Sequence, residues 1–257
     1  MNRKMWGIFA GLCALVLSTA WAAPAVAQIS EKPPMYSYGG DWAIPRAQWV
    51  EMEKSAAADQ SILDKAIASG TIMAYGNDTN LVHQPEGMTQ DDWWSSMSMA
   101  GLVNVLDQFY KSGNSVSPVL SSATKHSDDI FVSRYYNYHA GSWKGAYTHV
   151  STYKLKADAP DDAVELLSKN IIGPVLDKLL AEGAIHEWEI DTQAIHTEAP
   201  GTFWVVYIAA NAEGLDKATA AVREAGKSTP LRGPTFGSMV DFTAHRDMLA
   251  RTNATYK

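Results

Sequence analysis

Seven histidines are the side chains best suited to acid–base or ligand chemistry near neutral pH: His83, His126, His139, His149, His186, His196 and His245. A metal reading would pair His196 with Glu198 or His186 with Glu189. No His-x-His or His-Glu-x-x-His spacing occurs, so no metal site is expected and turn or surface positions are. His126-Ser-Asp128 and His245-Arg-Asp247 have the same spacing. They could form His–carboxylate dyads, but a spacing of two does not ensure contact, and a capping role for each aspartate is the favoured reading. His83 and His196 occupy matching places at the ends of two similar segments. Each could be a ligand or acid/base group at a pocket mouth, or a ring that pins a turn; the second reading is preferred.

Aromatic residues supply the other chemistry. Arg134-Tyr-Tyr-Asn-Tyr-His139, followed by Trp143, Tyr147 and His149, could stack a sugar or a flat organic molecule, or pack between two sheets. Of the pair Trp93-Trp94, one ring should face helices and the other an opposing layer. Placing Trp94, Ser96 and Ser98 on the face toward that layer leaves room beside the small serines, where Tyr207 fills the corresponding space later in the chain. An asymmetric ligand cavity lined by Trp94 follows, which Ser96→Phe should fill without harming the fold. The ligand-binding candidates are therefore Trp94, Ser96, Ser98, Tyr207, His83 and His196. No nucleophile elbow, phosphate loop or dinucleotide fingerprint is present, and Gly141–Gly145 reads as a turn.

The elements that must position these residues come from an internal repeat. Ile62–His83 aligns without gaps on Val175–His196. Nine of 22 positions are identical, among them Leu63/Leu176, Asp64/Asp177, Gly70/Gly183, Asp78/Asp191 and His83/His196, where chance gives about one or two. Beyond a turn, Gly101-Leu102 pairs with Gly214-Leu215. The second copy reads as a strand at 147–156, a helix from Asp158-Ala-Pro160 interrupted at Gly173-Pro174 and closed by Gly183, strands at 184–191 and 202–210, and a helix at 213–225. A fourth strand over 237–242 and a helix over 247–252 complete it. The first copy follows the same order, with a poorly defined first strand near 38–44 and a Ser-rich loop over 111–127. This is the β-α-β-β-α-β order of the ferredoxin-like unit. Thr202–Ala210 is apolar on both faces, which requires a layer on each side of its sheet.

The chain has 257 residues, 46% hydrophobic and 19% charged, with a formal charge of −7, which excludes a basic nucleic-acid footprint. Residues 1–27 read as a signal peptide, with Arg3 and Lys4, a short apolar run, and Ala25-Val-Ala27 before Gln28. Cleavage would remove Cys13, the single cysteine, so disulfides and thiolate chemistry are excluded from the mature chain. The expectation is an exported protein, periplasmic or extracellular, with no membrane contact after cleavage. The segments are 28–40 as an N-terminal extension, 41–138 as the first unit and 139–257 as the second.

The repeated helix–Gly–strand–turn–strand pattern over residues 41–257 resembles the dimeric α+β barrel superfamily, which includes stress-responsive A/B barrel proteins and small monooxygenases. The resemblance implies two tandem ferredoxin-like units with facing antiparallel sheets, related by a pseudo-twofold axis. It implies no catalytic motif, cofactor or oligomeric state. Three functions stay open: binding of a small apolar or aromatic molecule between the sheets, which is preferred; a monooxygenase or haem-handling enzyme, for which His149 or His186 could be the axial ligand; and a stress-related or structural protein without a small ligand.

Overall fold

The computed structural model of the chain describes residues 29–83, 87–227 and 235–257. The expected signal peptide lies outside the described residues, among which no helix is long and apolar enough to cross a membrane. Among the described residues there are eight strands: β1 (Met35–Trp42), β2 (Ala74–Asn80), β3 (Gln90–Ser96), β4 (His126–Tyr138), β5 (Gly141–Leu155), β6 (Ile185–Gln193), β7 (Thr202–Ala209) and β8 (Val240–Tyr256). The helices are α1 (Trp49–Ser69), α2 (Met99–Ser112), α3 (Ala163–Leu167), α4 (Gly173–Ala181), α5 (Ala212–Lys227) and α6 (Phe236–Met239).

The sheet closes into a barrel in the order β1-β3-β2-β8-β5-β7-β6-β4. Each half contributes four neighbouring strands in the same order, β4-β1-β3-β2 and β8-β5-β7-β6. The sheets face each other as expected, but they are also hydrogen-bonded edge to edge, β2 to β8 and β4 to β6. Closure removes all strand edges, which open sheets must otherwise protect.

The repeat explains local structure. Gly70 and Gly183 end α1 and α4 with φ of 75° and 70°, a left-handed conformation that favours glycine. Gly101 and Gly214 start α2 and α5 where backbone must approach closely. A Cβ on Gly101 would lie 2.6 Å from the Thr71 carbonyl oxygen, and one on Gly214 2.2 Å from that of Ala184. Between α3 and α4 the helix widens into a π turn at Ser168–Ile172, directly before Gly173-Pro174. The ring of Pro174 cannot donate a backbone hydrogen bond, and the widened turn absorbs the mismatch.

The helices cover the outside of the barrel, and the main cores lie there. Phe203, Val205, Tyr207 and Ala209 of β7 pack with Leu167, Leu176 and Ala218, while Tyr38, Tyr75 and Trp94 pack with Ala66, Leu102 and Val105. The other face of β7, with Trp204 and Ile208, lines the barrel interior, so both apolar faces are covered.

Four segments differ from the sequence expectation. The strand expected over 237–242 begins only at Val240, because its first residues close α6. Residues 247–252 belong to β8, a 17-residue strand, and pair with β5 from Ser151 to Ala146; tertiary pairing overrides their helical appearance. Gly141–Gly145 forms the start of β5, with a bulge at Lys144/Ala146 where Gly145 takes φ of 70°. β1 starts at Met35, inside the segment expected to be an extension, and its Gly39 and Gly40 pair as ordinary strand residues.

Candidate functional site

Strand alternation sorts the candidate residues to two faces. In β3, Trp93 points into the barrel, where its ring lies 5.8 Å from that of Tyr256. Trp94 points outward to α2, donating its indole N–H to the Leu102 carbonyl at 3.3 Å. Ser96 shares the outward face. It is 2% exposed, its hydroxyl donates to the Thr71 carbonyl at 2.8 Å, and its Oγ would lie 2.1 Å from a Cβ on Gly101. Ser98 is the N-cap of α2, accepting from the Gly101 amide at 3.1 Å. The serines therefore do not open a space between the sheets; Ser96 is pressed against a helix and Ser98 caps that helix. Tyr207 also faces outward. His83 and His196 are exposed beyond the ends of β2 and β6, with His83 against Trp49 at 5.1 Å and Arg46 Nη2 at 3.3 Å.

The barrel interior is acidic and packed. Asp41, Asp78 and Asp91 face Glu187, Glu189 and Asp191 across it, beside Trp93, Tyr136, Tyr138 and Tyr256. Burial pushes Asp41 up to about 6 and Asp78 and Asp191 up to about 7. Burial, then neighbouring carboxyls, holds Asp91, Glu187 and Glu189 well above the usual range. These groups are accordingly held as neutral acids at moderately low pH. Asp78 and Asp191, identical in the repeat, each stand at a seam between the halves, opposite Thr252 and Ser133 respectively. Among the described residues no His, Cys, Asp and Glu group could hold a metal ion.

Open space lies outside the barrel, between sheet and helices, in both halves. The first cavity, about 950 Å³, runs under α1 and α2 and across β2 toward β8. Its aromatic wall includes Trp42, Trp49, Trp94 and Phe109, with Tyr38 stacked on Trp94 at 4.1 Å. Glu53, Asp59, Asp64 and Asp92 give it an acidic lining. Asp64 accepts the Tyr75 hydroxyl at 2.6 Å. Burial, and next the charge of Asp59, pushes Asp92 up to about 7.

His126, missed as a binding candidate, lines the rim of this cavity. Its ring stacks on Trp42 at 3.5 Å, its Nδ1 faces the Asp41 carbonyl at 3.0 Å and its Nε2 faces Asp128 Oδ1 at 3.2 Å. The Tyr38 hydroxyl donates to the same Asp128 oxygen. Burial, then that hydrogen bond, raises the Tyr38 phenol above its ordinary range. Tyr38, Asp128 and His126 thus form one chain of proton-exchanging groups.

The second cavity, about 360 Å³, lies under α4 and α5 at the matching place. His149 stacks on Tyr207 at 5.0 Å and His245 on Tyr153 at 4.5 Å. Asp247 Oδ1 is 3.0 Å from His245 Nε2 and accepts the Ser151 hydroxyl at 2.7 Å. Both His-x-Asp pairs are therefore formed as dyads within strands, and neither aspartate caps a helix. Two-residue spacing puts both side chains on one face of a strand, the signal that could have selected them.

Of the residues proposed for haem, His186 stacks on Trp143 at 4.3 Å and lines neither cavity described above. His149 lines the smaller cavity, with the Asp247 carboxylate 3.9 Å from its Nε2. Burial lowers the pKa of both imidazoles.

The fold is that of the dimeric α+β barrel superfamily, with both ferredoxin-like units in one chain. A candidate monooxygenase from Lactobacillus acidophilus is similar with a TM-score of 0.63 at 13% identity, over 88% of this chain and 97% of that one. A candidate monooxygenase from Fusobacterium nucleatum is similar at 0.61 and 8% identity, over 88% and 95%. An anthrone oxidase-like protein is similar at 0.50 and 8% identity, over 89% and 95%. At these identities the likeness concerns the fold. No protein-family model and no curated protein matches the chain.

Proposed function

We propose that the protein is exported and binds a flat aromatic molecule bearing amino or hydroxyl groups in the first cavity. The observation that carries this reading is the lining itself: an aromatic wall facing carboxylates and amide oxygens in about 950 Å³, within the usual size of ligand sites. Hydrogen-bond donors or a positive charge on the ligand would satisfy Asp64 and Asp92, and its ring would lie against Trp42 or Trp94. The cavity lies beneath helices and not between the sheets, whose interior is occupied by packed acids and aromatics. The two halves have their origin, on this reading, in duplication of one ferredoxin-like unit.

Calorimetric titration of the full chain tests the proposal with 2-naphthylethylamine and, as its oppositely charged counterpart, 2-naphthylacetate. The amine should bind at least about tenfold tighter, and Ala56→Trp, which extends a ring from α1 into the cavity, should abolish binding. Equal affinity for the two probes, or binding unaffected by Ala56→Trp, contradicts it.

A monooxygenase acting in the same cavity is the second reading. It draws on the fold shared with candidate monooxygenases and on the Tyr38–Asp128–His126 chain, which could take up a proton from a bound phenol. Oxygen uptake with hydroquinone as the probe distinguishes it from binding alone.

A further inference from the structure

The second cavity repeats the first in position but not in chemistry. Register fixes the correspondence. Tyr38 is paired with Trp94, and Gly40 with Asp128, in the first half; His149 is paired with Tyr207, and Ser151 with Asp247, in the second. The two dyads differ at one atom. His126 spends its Nδ1 on the Asp41 carbonyl, whereas His245 Nδ1 has no partner among the described residues, although its Nε2 is anchored by Asp247. The linings also differ in charge. Five acids, Glu53, Asp59, Asp64, Asp78 and Asp92, line the first cavity, whereas among the described residues Asp247 is the one carboxylate lining the second, where Arg223 and Lys227 of α5 join the two histidines.

We propose that the second cavity binds a small aromatic carboxylate, with its carboxylate on His245 Nδ1 and Arg223 and its ring among Val175, Val205, Tyr207 and Phe236. The ring is held by the apolar part of the lining, since Val205, Tyr207 and Phe236 are all buried. An imidazole already oriented by a carboxylate presents its second nitrogen in a fixed direction, so little order is lost on binding. With Nε2 held against Asp247, Nδ1 is the ring nitrogen left to meet the bound carboxylate. Among the described residues, the charged and titratable groups around His245 are His149, Tyr153, Tyr207 and Asp247 from the sheet, Arg246, whose Nη1 donates to the His245 carbonyl at 2.6 Å, and Arg223 and Lys227 from α5; Lys227 is also 3.7 Å from Glu224 on its own helix. The site size admits one or two fused rings and is distinct from the cavity assigned above.

Benzoate and its neutral counterpart benzamide are the probes, titrated into the full chain by calorimetry. Benzoate should bind one site at least about tenfold tighter than benzamide. Arg223→Gln, an exposed change on α5, and His245→Gln should each weaken benzoate by about tenfold and leave benzamide unchanged. Val175→Trp should block both probes. If it fails to fold, as thermal melting would show, the Arg223→Gln result stands by itself. Equal affinity for benzoate and benzamide, benzoate binding insensitive to both Arg223→Gln and His245→Gln, or no saturable heat overturns the proposal. Because the amine test concerns Ala56 and the first cavity, either site can fail without the other.

Discussion

The outer faces of the two sheets place side chains at matching registers, yet one collects acids and the other collects bases. In the first half the space under the helices is about 950 Å³ and bordered by Glu53, Asp59, Asp64 and Asp92. In the second it is about 360 Å³, with two histidines and Arg223 beside Asp247. The framework is common to both: a glycine-started helix, a His–Asp pair on the last strand, an aromatic residue stacked on the histidine. The common framework constrains backbone approach and ring stacking, and leaves cavity size and charge free to differ. On the proposed reading, specificity resides in the side chains that helices and strands point into the gap rather than in the barrel.

The strongest way to break the comparison is to attack the packing of helix on sheet in either half. Gly214→Ala places a Cβ 2.2 Å from a backbone oxygen, and Ser96→Phe forces a ring into a site 2% exposed against α2. Each should cost about 2–4 kcal/mol or prevent folding, measured by urea denaturation. If Ser96→Phe melts like the parent, the outward packing of Ser96 is wrong.

A somewhat smaller effect should come from the interior acids. Their folded pKa values are raised above the unfolded ones, so the folded state binds more protons between the two. The stability they contribute is present below about pH 4 and is lost as pH rises toward about 7, the value for Asp78 and Asp191. The thermal midpoint should therefore fall by several degrees, about 5 °C, from pH 5 to pH 8. Asp78→Asn and Asp191→Asn should each flatten that slope, and to a similar extent, since both stand at equivalent seams. A midpoint that rises over this range would contradict the placement of the acids.

Ligand binding sharpens the contrast further. Cationic aromatic binding in the first cavity requires Asp92 ionised, so affinity for 2-naphthylethylamine should rise about tenfold from pH 6 to pH 8. Asp92→Asn should remove the rise. The smallest consequence for the fold is the exported form itself: N-terminal sequencing should read from Gln28, and a retained Met1 would refute cleavage.

Much of the architecture was legible because periodicity and the repeat point the same way. The apolar faces of Thr202–Ala209 demanded two layers, and Gly70 and Gly183 marked equivalent helix ends. The site was harder to read. Alternation in β3 separates Trp93 from Trp94, but it does not tell which face meets the helices when both faces are covered. In β6 the sequence Glu187-Trp-Glu-Ile-Asp191 looks like a strand with one wet face; in the closed barrel its acids point inward and Trp188 and Ile190 point to the helices. The long β8 was hidden because 247–252 carries helix-forming residues, and only pairing with β5 across the second half makes it a strand. With β8 misread, the His245–Asp247 pair looked like a cap instead of a dyad.

A crystal structure of the chain soaked with 2-naphthylethylamine tests the central claim most directly. The account predicts density for the naphthyl ring against Trp94 or Trp42 beneath α1, with its ammonium within hydrogen-bond distance of Asp64 or Asp92. Density for the amine inside the barrel, or an empty first cavity at a saturating concentration of the amine, would contradict it.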